Sequence, residues 1–224
     1  ILVWLAGSAC KTISSVGGLR FFRKENMPEG APEYCLEGCP EKEACPFDAE
    51  KIYITNKPTG YDANGCGWMQ RDIGCGKDRE SLYRALRESP YGRCVFQCDN
   101  NVVDHQTLSA VMKNGVSISF SMCGLNNHNY RTIHIMGTKG DLWGELEREK
   151  IFLSRFGEKT QEIRLDAEDM DSGHGGGDFH MLSEMIRARK EGKNSLTSLE
   201  ESLASHFMAL AAEKSRQMGG ECVD

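Results

Sequence analysis

Between residues 106 and 165 the chain is a succession of short apolar–polar runs, each closed by a polar or glycine-bearing turn. Candidate strands fall at 106–113, 116–122, 130–136, 141–146, 150–156 and 161–165. The run Val116-Ser-Ile-Ser-Phe-Ser-Met122 alternates strictly, and Asn114-Gly115 ahead of it is a hairpin signal. Parallel neighbours need a crossover of about a dozen residues or more, and none of these connections leaves room for one. The sheet is therefore expected to be largely antiparallel.

The flanks supply the other layer. Residues 12–22 read as a strand weakened or bulged at Gly17-Gly18, and 93–97 as a further strand. Asp78 caps a helix over 78–88 that carries Leu82, Ala85 and Leu86 on one face. A second helix, 179–190, has Asp178 as its cap and Phe179, Leu182, Met185 and Ile186 as its buried face. A third, 199–217, opens with the capping box Ser198-Leu-Glu-Glu201 and aligns Leu199, Leu203, Phe207 and Leu210. Ile1–Gly7 reads as the last turns of a helix whose start lies upstream, with Gly7 near the C-cap. Strands followed by helices predict an α+β fold: an open, mostly antiparallel β-sheet with helices on one face. We assign residues 1–11 to the end of a helix that leads into the domain, and 12–224 to one α+β domain. That domain is interrupted by an irregular insertion at 23–77, which holds most of the prolines and a short strand at Lys51–Ile54.

A net charge of −6 with no basic stripe argues against nucleic acid as a partner, and no apolar run approaches membrane-spanning length. Ten cysteines, several in strand-like apolar settings and with no sign of secretion, point to a reducing cytoplasm. Three of them form the tract Cys35-x3-Cys39-Pro-x4-Cys45-Pro. Thiolates this close in an irregular loop could hold zinc or an iron–sulfur cluster, with Cys66, Cys75, Cys94 or Cys98 as fourth ligand. The alternatives are reduced thiols packed under the loop, or a disulfide.

The stretch Ser172-Gly-His-Gly-Gly-Gly-Asp178 places a histidine in a tight turn ahead of a helix, where a polar or anionic ligand could dock. His174-Gly-Gly-Gly177 matches an esterase oxyanion loop, but the chain has no Gly-x-Ser-x-Gly nucleophile elbow. It also has no Gly-x-Gly-x-x-Gly dinucleotide turn and no phosphate-binding Gly-x4-Gly-Lys-Ser/Thr. Arg93, Asp104 and His105 could line a pocket at a sheet edge or form a polar strand-end turn.

Three segments together resemble the C-terminal domain of the glucose–fructose oxidoreductase/inositol dehydrogenase (Gfo/Idh/MocA) family: Arg131-Thr-Ile-His-Ile-Met-Gly-Thr-Lys-Gly140-Asp-Leu, Gly173-His-Gly-Gly-Gly-Asp178, and Ser205-His-Phe…Ala211-Ala-Glu-Lys-Ser-Arg216. Cys35…Cys45-Pro-Phe-Asp-Ala and Tyr91-Gly-Arg-Cys-Val-Phe-Gln-Cys-Asp-Asn are similar to a cysteine-bearing subgroup of it. The resemblance implies an N-terminal Rossmann domain, outside this chain, that binds NAD or NADP. It implies that this domain forms a wall of the substrate pocket and joins subunits of a homo-oligomer through its sheet face. Family members oxidise or reduce a sugar or polyol hydroxyl by hydride transfer. Their glycine-rich cofactor turn, catalytic Glu-Lys-Pro motif and Asp/His motif have no counterpart here, so no catalytic residue is carried over and this chain alone is expected to be silent. His174, Gly175, Asp178 and Arg93 are carried forward as substrate contacts, and Cys35, Cys39 and Cys45 as metal ligands. Two rivals follow: a metal-binding structural or electron-relay module, and a glycosidase that uses NAD transiently.

Overall fold

In a computed structural model the described residues are 1–74, 76, 78–127, 130–164, 176–193 and 198–224. They form two compact units, one of Ile1–Ser15, Leu108–Phe120 and Leu125–Asp224, the other of Val16–Thr107 and Ser121–Gly124. Antiparallel sheets and helices make the fold α+β, as expected, with the strands divided between two sheets.

The first sheet has the order β1-β2-β3, formed by β1 (Cys10–Gly18), β2 (His105–Met112) and β3 (Ser117–Cys123). Asn114-Gly115 makes the expected hairpin between β2 and β3: Gly115 has φ 89°, and the Asn114 Oδ1 accepts from the Val116 N–H at 3.2 Å. Alternation along β2 sends Leu108, Ala110 and Met112 to one face, where they join Ile13 of β1. Helix α1 (Leu2–Ala6) brings Val3 to this cluster and ends, as expected, at a left-handed Gly7. The C-terminal helix α6 (Leu199–Gln217) brings Met208 and Ala212. Its Ser198–Glu201 capping box forms as predicted, with the Ser198 hydroxyl accepting from the Glu201 N–H at 3.1 Å.

The second sheet is an antiparallel meander, β4 (Thr132–Gly137), β5 (Gly140–Glu145), β6 (Lys150–Arg155) and β7 (Gln161–Arg164). Its register aligns Ile133, Gly144, Ile151 and Ile163 across the strands, and Ile135, Leu142 and Leu153 beside them. Period two puts these side chains on one aliphatic face. The opposite face carries Trp143 stacked on Phe152, with ring centroids 4.2 Å apart, and a His134–Asp141 pair. Ile135 and Ile163 of the aliphatic face are each 41% exposed.

The other unit is built around α4 (Arg79–Glu88), preceded by the short helices α2 (Tyr61–Asn64) and α3 (Trp68–Asp72). Asp78 caps α4 as predicted, accepting from the Ser81 N–H at 2.8 Å, and Leu82 and Leu86 are fully buried against Ala49, Ile54 and Ile73. Two expected strands are absent. Lys51–Thr55 is a π-helical turn, because the Asp48 carboxylate takes the Lys51 N–H at 2.9 Å and starts a helical turn that buries Ile54. Residues 93–97 hold a 3₁₀ turn at Val95–Gln97 and a single bridge between Tyr34 and Arg93.

The helix faces also differ from expectation. Helix α5 (Gly177–Lys190) is capped by Gly176 at φ 83°, a conformation that favours glycine, so Asp178 falls in the first turn and is not the cap. Phe179, Leu182, Met185 and Ile186 are exposed, and Ala188 is the buried residue of α5. In α6 the expected stripe of Leu199, Leu203, Phe207 and Leu210 is likewise exposed, while Met208, Ala212 and Ser215 on another face are buried. The amphipathic period was read correctly as helix; in α6 the side taken by the core is the one that meets Leu108, Ala110 and Met112.

The C-terminal tail is tied in by one hydroxyl. Ser215, fully buried, accepts from the Ser15 N–H at 2.8 Å and donates to the Glu221 carbonyl at 2.6 Å, beside the bridge between Ile13 and Val223. Ser215→Ala removes both bonds from a dry site and should cost about 1–3 kcal/mol, read as a lowered urea midpoint with an unchanged denaturant slope.

Candidate functional site

The chemistry-bearing residues of the second unit gather around the cysteine loop. Cys35 opens a 3₁₀ turn, Cys35–Glu37, closed by Gly38 at φ 84°. The Cys45 N–H donates to the Glu41 carbonyl at 2.8 Å, which folds the next turn back. A distant segment is stapled alongside: the Cys94 N–H donates to the Glu33 carbonyl at 2.8 Å, and the Gln97 side chain donates to the Pro32 carbonyl at 3.0 Å. The result is a small cavity of about 20 Å³ lined by Cys35, Cys39, Cys45 and Cys94, with Asp48, Phe47 and Phe96 among its other walls.

The Cys35 thiol is pushed up to about 11, chiefly by burial and with the nearby Asp48, Cys94 and Cys45 adding to the rise, while the Ala49 backbone N–H opposes it. Burial likewise raises Cys45, against a hydrogen bond from the Phe47 N–H and with added repulsion from Asp48, Cys39 and Cys94. At neutral pH these are protonated thiols packed as small hydrophobes. Of the four expected candidates for a further ligand, Cys94 lines the cavity, Cys66 and Cys98 do not, and Cys75 lies outside the described residues. Among the described residues no three cysteine, histidine or acidic side chains are gathered around one point at ligating distance, so a preformed zinc or iron–sulfur site is not supported.

One wall of this region is organised by a buried carboxylate. Asp104, 5% exposed, accepts through Oδ2 from the backbone N–H groups of Arg20 at 2.8 Å, Phe21 at 2.6 Å and Phe22 at 3.4 Å. Its Oδ1 meets Nδ1 of His105 at 2.7 Å. Burial alone would raise this carboxyl; the His105 ring and the backbone donors of Phe21, Arg20 and Phe22 outweigh it and hold the group well below the usual carboxylate range. Phe21 and Phe22, fixed in this way, pack against Phe47 and Phe96 with ring centroids between 5.2 and 6.3 Å apart. The carboxylate on Nδ1 fixes the orientation of the His105 ring and leaves Nε2 on its far side.

The predicted substrate contacts are distributed as follows. His174 and Gly175 lie outside the described residues. Asp178 is in the first turn of α5, in the first unit, whereas Arg93 belongs to the second. The Arg93 guanidinium donates to the Gln97 carbonyl at 3.0 Å and pairs with Asp99 at 3.4 Å; its buried Nε has no hydrogen-bond partner among the described residues. In the sequence Asp104 and His105 were legible as a pocket lining at a sheet edge or as a polar strand-end turn; nothing local says that Asp104 turns inward to three N–H groups over eighty positions away.

No family model matches the chain, and no curated protein does. Solved structures do, and these neighbours are Gfo/Idh/MocA-type proteins. A super-repressor mutant of Gal80p from Saccharomyces cerevisiae aligns over 100% of this chain and 46% of its own, at 15% identity and TM-score 0.50. Levoglucosan dehydrogenase in complex with NADH and levoglucosan aligns over 55% of this chain and 38% of its own, at 16% identity and TM-score 0.45. A putative oxidoreductase from Thermotoga maritima covers 62% and 37%, at 20% identity and TM-score 0.43. The chain thus spans less than half the length of the structures it resembles, and the likeness is one of fold. Among the described residues no helix is long and apolar enough to cross a membrane.

Asp104→Asn keeps the shape and removes the charge from four hydrogen bonds, so we expect a loss of about 1–3 kcal/mol at neutral pH. The folded carboxyl titrates below its unfolded value, so the stabilisation is complete above about pH 4 and is lost as pH falls through the folded value. Chemical denaturation should show the gap between wild type and variant closing in acid; a gap that is constant with pH would remove the charge from the explanation.

Proposed function

We propose that this chain is the substrate-binding and subunit-contact portion of an NAD(P)-dependent oxidoreductase of the Gfo/Idh/MocA type, acting on a hydroxyl of a sugar or polyol. The observation that carries the reading is the fold likeness over the whole chain to Gal80p, a Gfo/Idh/MocA-type structure. The three motif segments quoted above, in the family's order, support it. NAD or NADP would supply the hydride acceptor or donor. No dinucleotide turn is present in this chain, so the residues here do not fit the cofactor and its site is assigned to a Rossmann domain outside the chain.

What this chain contributes is orientation. His174, Gly175 and Asp178 offer a donor, a close backbone approach and an acceptor, which is the complement a polyhydroxylated substrate needs. Arg93, in the second unit, is a separate candidate contact, since its pairing with Asp99, a carboxylate that is 94% exposed, costs little to leave. The aliphatic sheet face of Ile133, Ile135, Leu142, Ile151, Leu153 and Ile163 supports the subunit-contact role, since contiguous apolar surface of this kind is covered in a working protein.

Fluorescence titration of this chain with NADH should give no saturable change; tight binding would place a cofactor site within it and overturn the division of labour. Sedimentation should show a dimer or larger species that Ile135→Lys converts to monomer. In the intact enzyme, His174→Ala should lower kcat/KM for the sugar at least tenfold with an unchanged melting temperature. Equal losses of stability and turnover would return His174 to a structural loop. One observation favours a second reading, a regulator without turnover: a structure that aligns over the whole chain is that of a super-repressor mutant. Sugar binding with no hydride transfer by the intact protein would select it.

A further inference from the structure

We infer that the aliphatic face of the β4–β7 sheet is covered by helices α5 and α6 of a second copy of this chain, in a reciprocal dimer where each copy lays its helices on its partner's sheet. The inference rests on the subunit-contact reading above and names the surface that meets that face. Both halves of the contact belong to the first unit. The two helix stripes described above, Phe179 to Ile186 on α5 and Leu199 to Leu210 on α6, hold eight large apolar side chains, each at least 46% exposed. The sheet face centred on Leu142 and Ile151 offers six more, half-buried or exposed.

Helix α6 is held from its other side. Met208 and Ala212 pack with Val3, Ile13 and Met112, and Ser215 bonds to Ser15 and Glu221. Turning the stripe of α6 toward this core would break that packing, so the stripe is covered from outside. Helix α5 is the opposite case. Its buried residue is Ala188, and a helix of 14 residues packed at one position is at the limit of what persists in water by itself. It needs an apolar surface to lie on.

The dimensions of the two surfaces agree. Helix α5, at 14 residues, is about 21 Å long, and the six-residue strands β4, β5 and β6 run roughly 20 Å. Four strands span roughly 15–20 Å across, the width of two helices about 10 Å in diameter. The area is also sufficient. Full burial of one large apolar side chain removes roughly 60–120 Å² from water. At the exposures observed, one helix-on-sheet contact buries on the order of 600 Å² of apolar side chain, and the reciprocal pair about 1,200 Å². That reaches the range of stable specific interfaces, about 1,200–2,000 Å², before backbone and polar rim are added. A second copy is the partner that carries both surfaces, so a two-fold arrangement satisfies all four faces at once and closes.

The test is sedimentation of the full chain and of variants on each surface. Phe207→Glu and Leu182→Glu should each weaken the dimer roughly thirtyfold or more, as Ile135→Lys does from the sheet side. Mixing the Phe207→Glu and Ile135→Lys chains should restore a dimer, because one helix-on-sheet contact in the mixed pair is intact. A dimer that is lost in Ile135→Lys but withstands Phe207→Glu would overturn the inference and leave the subunit-contact reading standing; a wild-type monomer would overturn both. Should a variant fail to fold, cross-linking of the wild-type protein replaces it. After subunit exchange between light and heavy isotope-labelled chains, links from Lys190 or Lys214 to Lys159 should include mixed light–heavy pairs. Links confined to one label would place the helices over their own sheet and overturn the inference.

Discussion

A carboxylate sunk to 5% exposure, with three backbone N–H groups on one oxygen and an imidazole on the other, fixes the path of the chain where β1 runs out. Residues 20–22 make no ladder bonds there, and Asp104 stands in for them. The substitution is strong because charge-assisted bonds to an anion exceed neutral ones in a low-dielectric setting. It is also unforgiving, since the donors have been taken out of water. The aromatic wall of Phe21, Phe22, Phe47 and Phe96 depends on it: two of the four rings are carried by the segment it holds. Phe47 and Phe96 in turn line the cysteine cavity, so the carboxylate, the ring cluster and the thiols are links of one chain of contacts within the second unit.

The first unit works differently. Its order comes from apolar alternation, with Leu108, Ala110 and Met112 set against Val3, Met208 and Ala212. Among the described residues its buried polar side chains, Ser15 and Ser215, lie at the seam between β1 and the C-terminal tail, where Ser215 serves two backbone partners. The aliphatic face of the β4–β7 sheet follows the same alternation; Ile133, Leu142, Ile151 and Leu153 are half-buried, while Ile135 and Ile163 are exposed. Subunit contact or an adjoining domain would each complete a layer that the strand pattern has prepared.

Elements governed by neighbours in sequence were legible from the sequence. Asp78 and the Ser198–Glu201 box announce their helices because a cap bonds within one turn, and Asn114-Gly115 announces its hairpin because the turn itself selects those residues. Elements governed by distant partners were not. Ile52 to Ile54 has strand-like composition, yet the Asp48 carboxylate and the space beneath α4 turn it into a helical coil. The choice of face on α5 and α6 could not be read either, since each helix carries apolar residues on more than one side. At the candidate site, three cysteines were visible as a tract and Cys94 as one of four candidates to join it, while the choice among the four rests on a backbone bond to Glu33 that no local pattern encodes.

Helix α6 carries a further consequence. One side is packed through Met208, Ala212 and Ser215, and the other presents Leu199, Leu203, Phe207 and Leu210. If both sides are engaged in the working protein, only narrow strips of the cylinder remain free to drift in evolution. Those strips are where Glu200, Glu213 and Arg216 stand, and the Arg216–Glu213 pair at 2.7 Å spans one of them. Substitution along this helix should therefore be sparse and confined to charged positions, so that its sequence records the shape of both surfaces it has to meet.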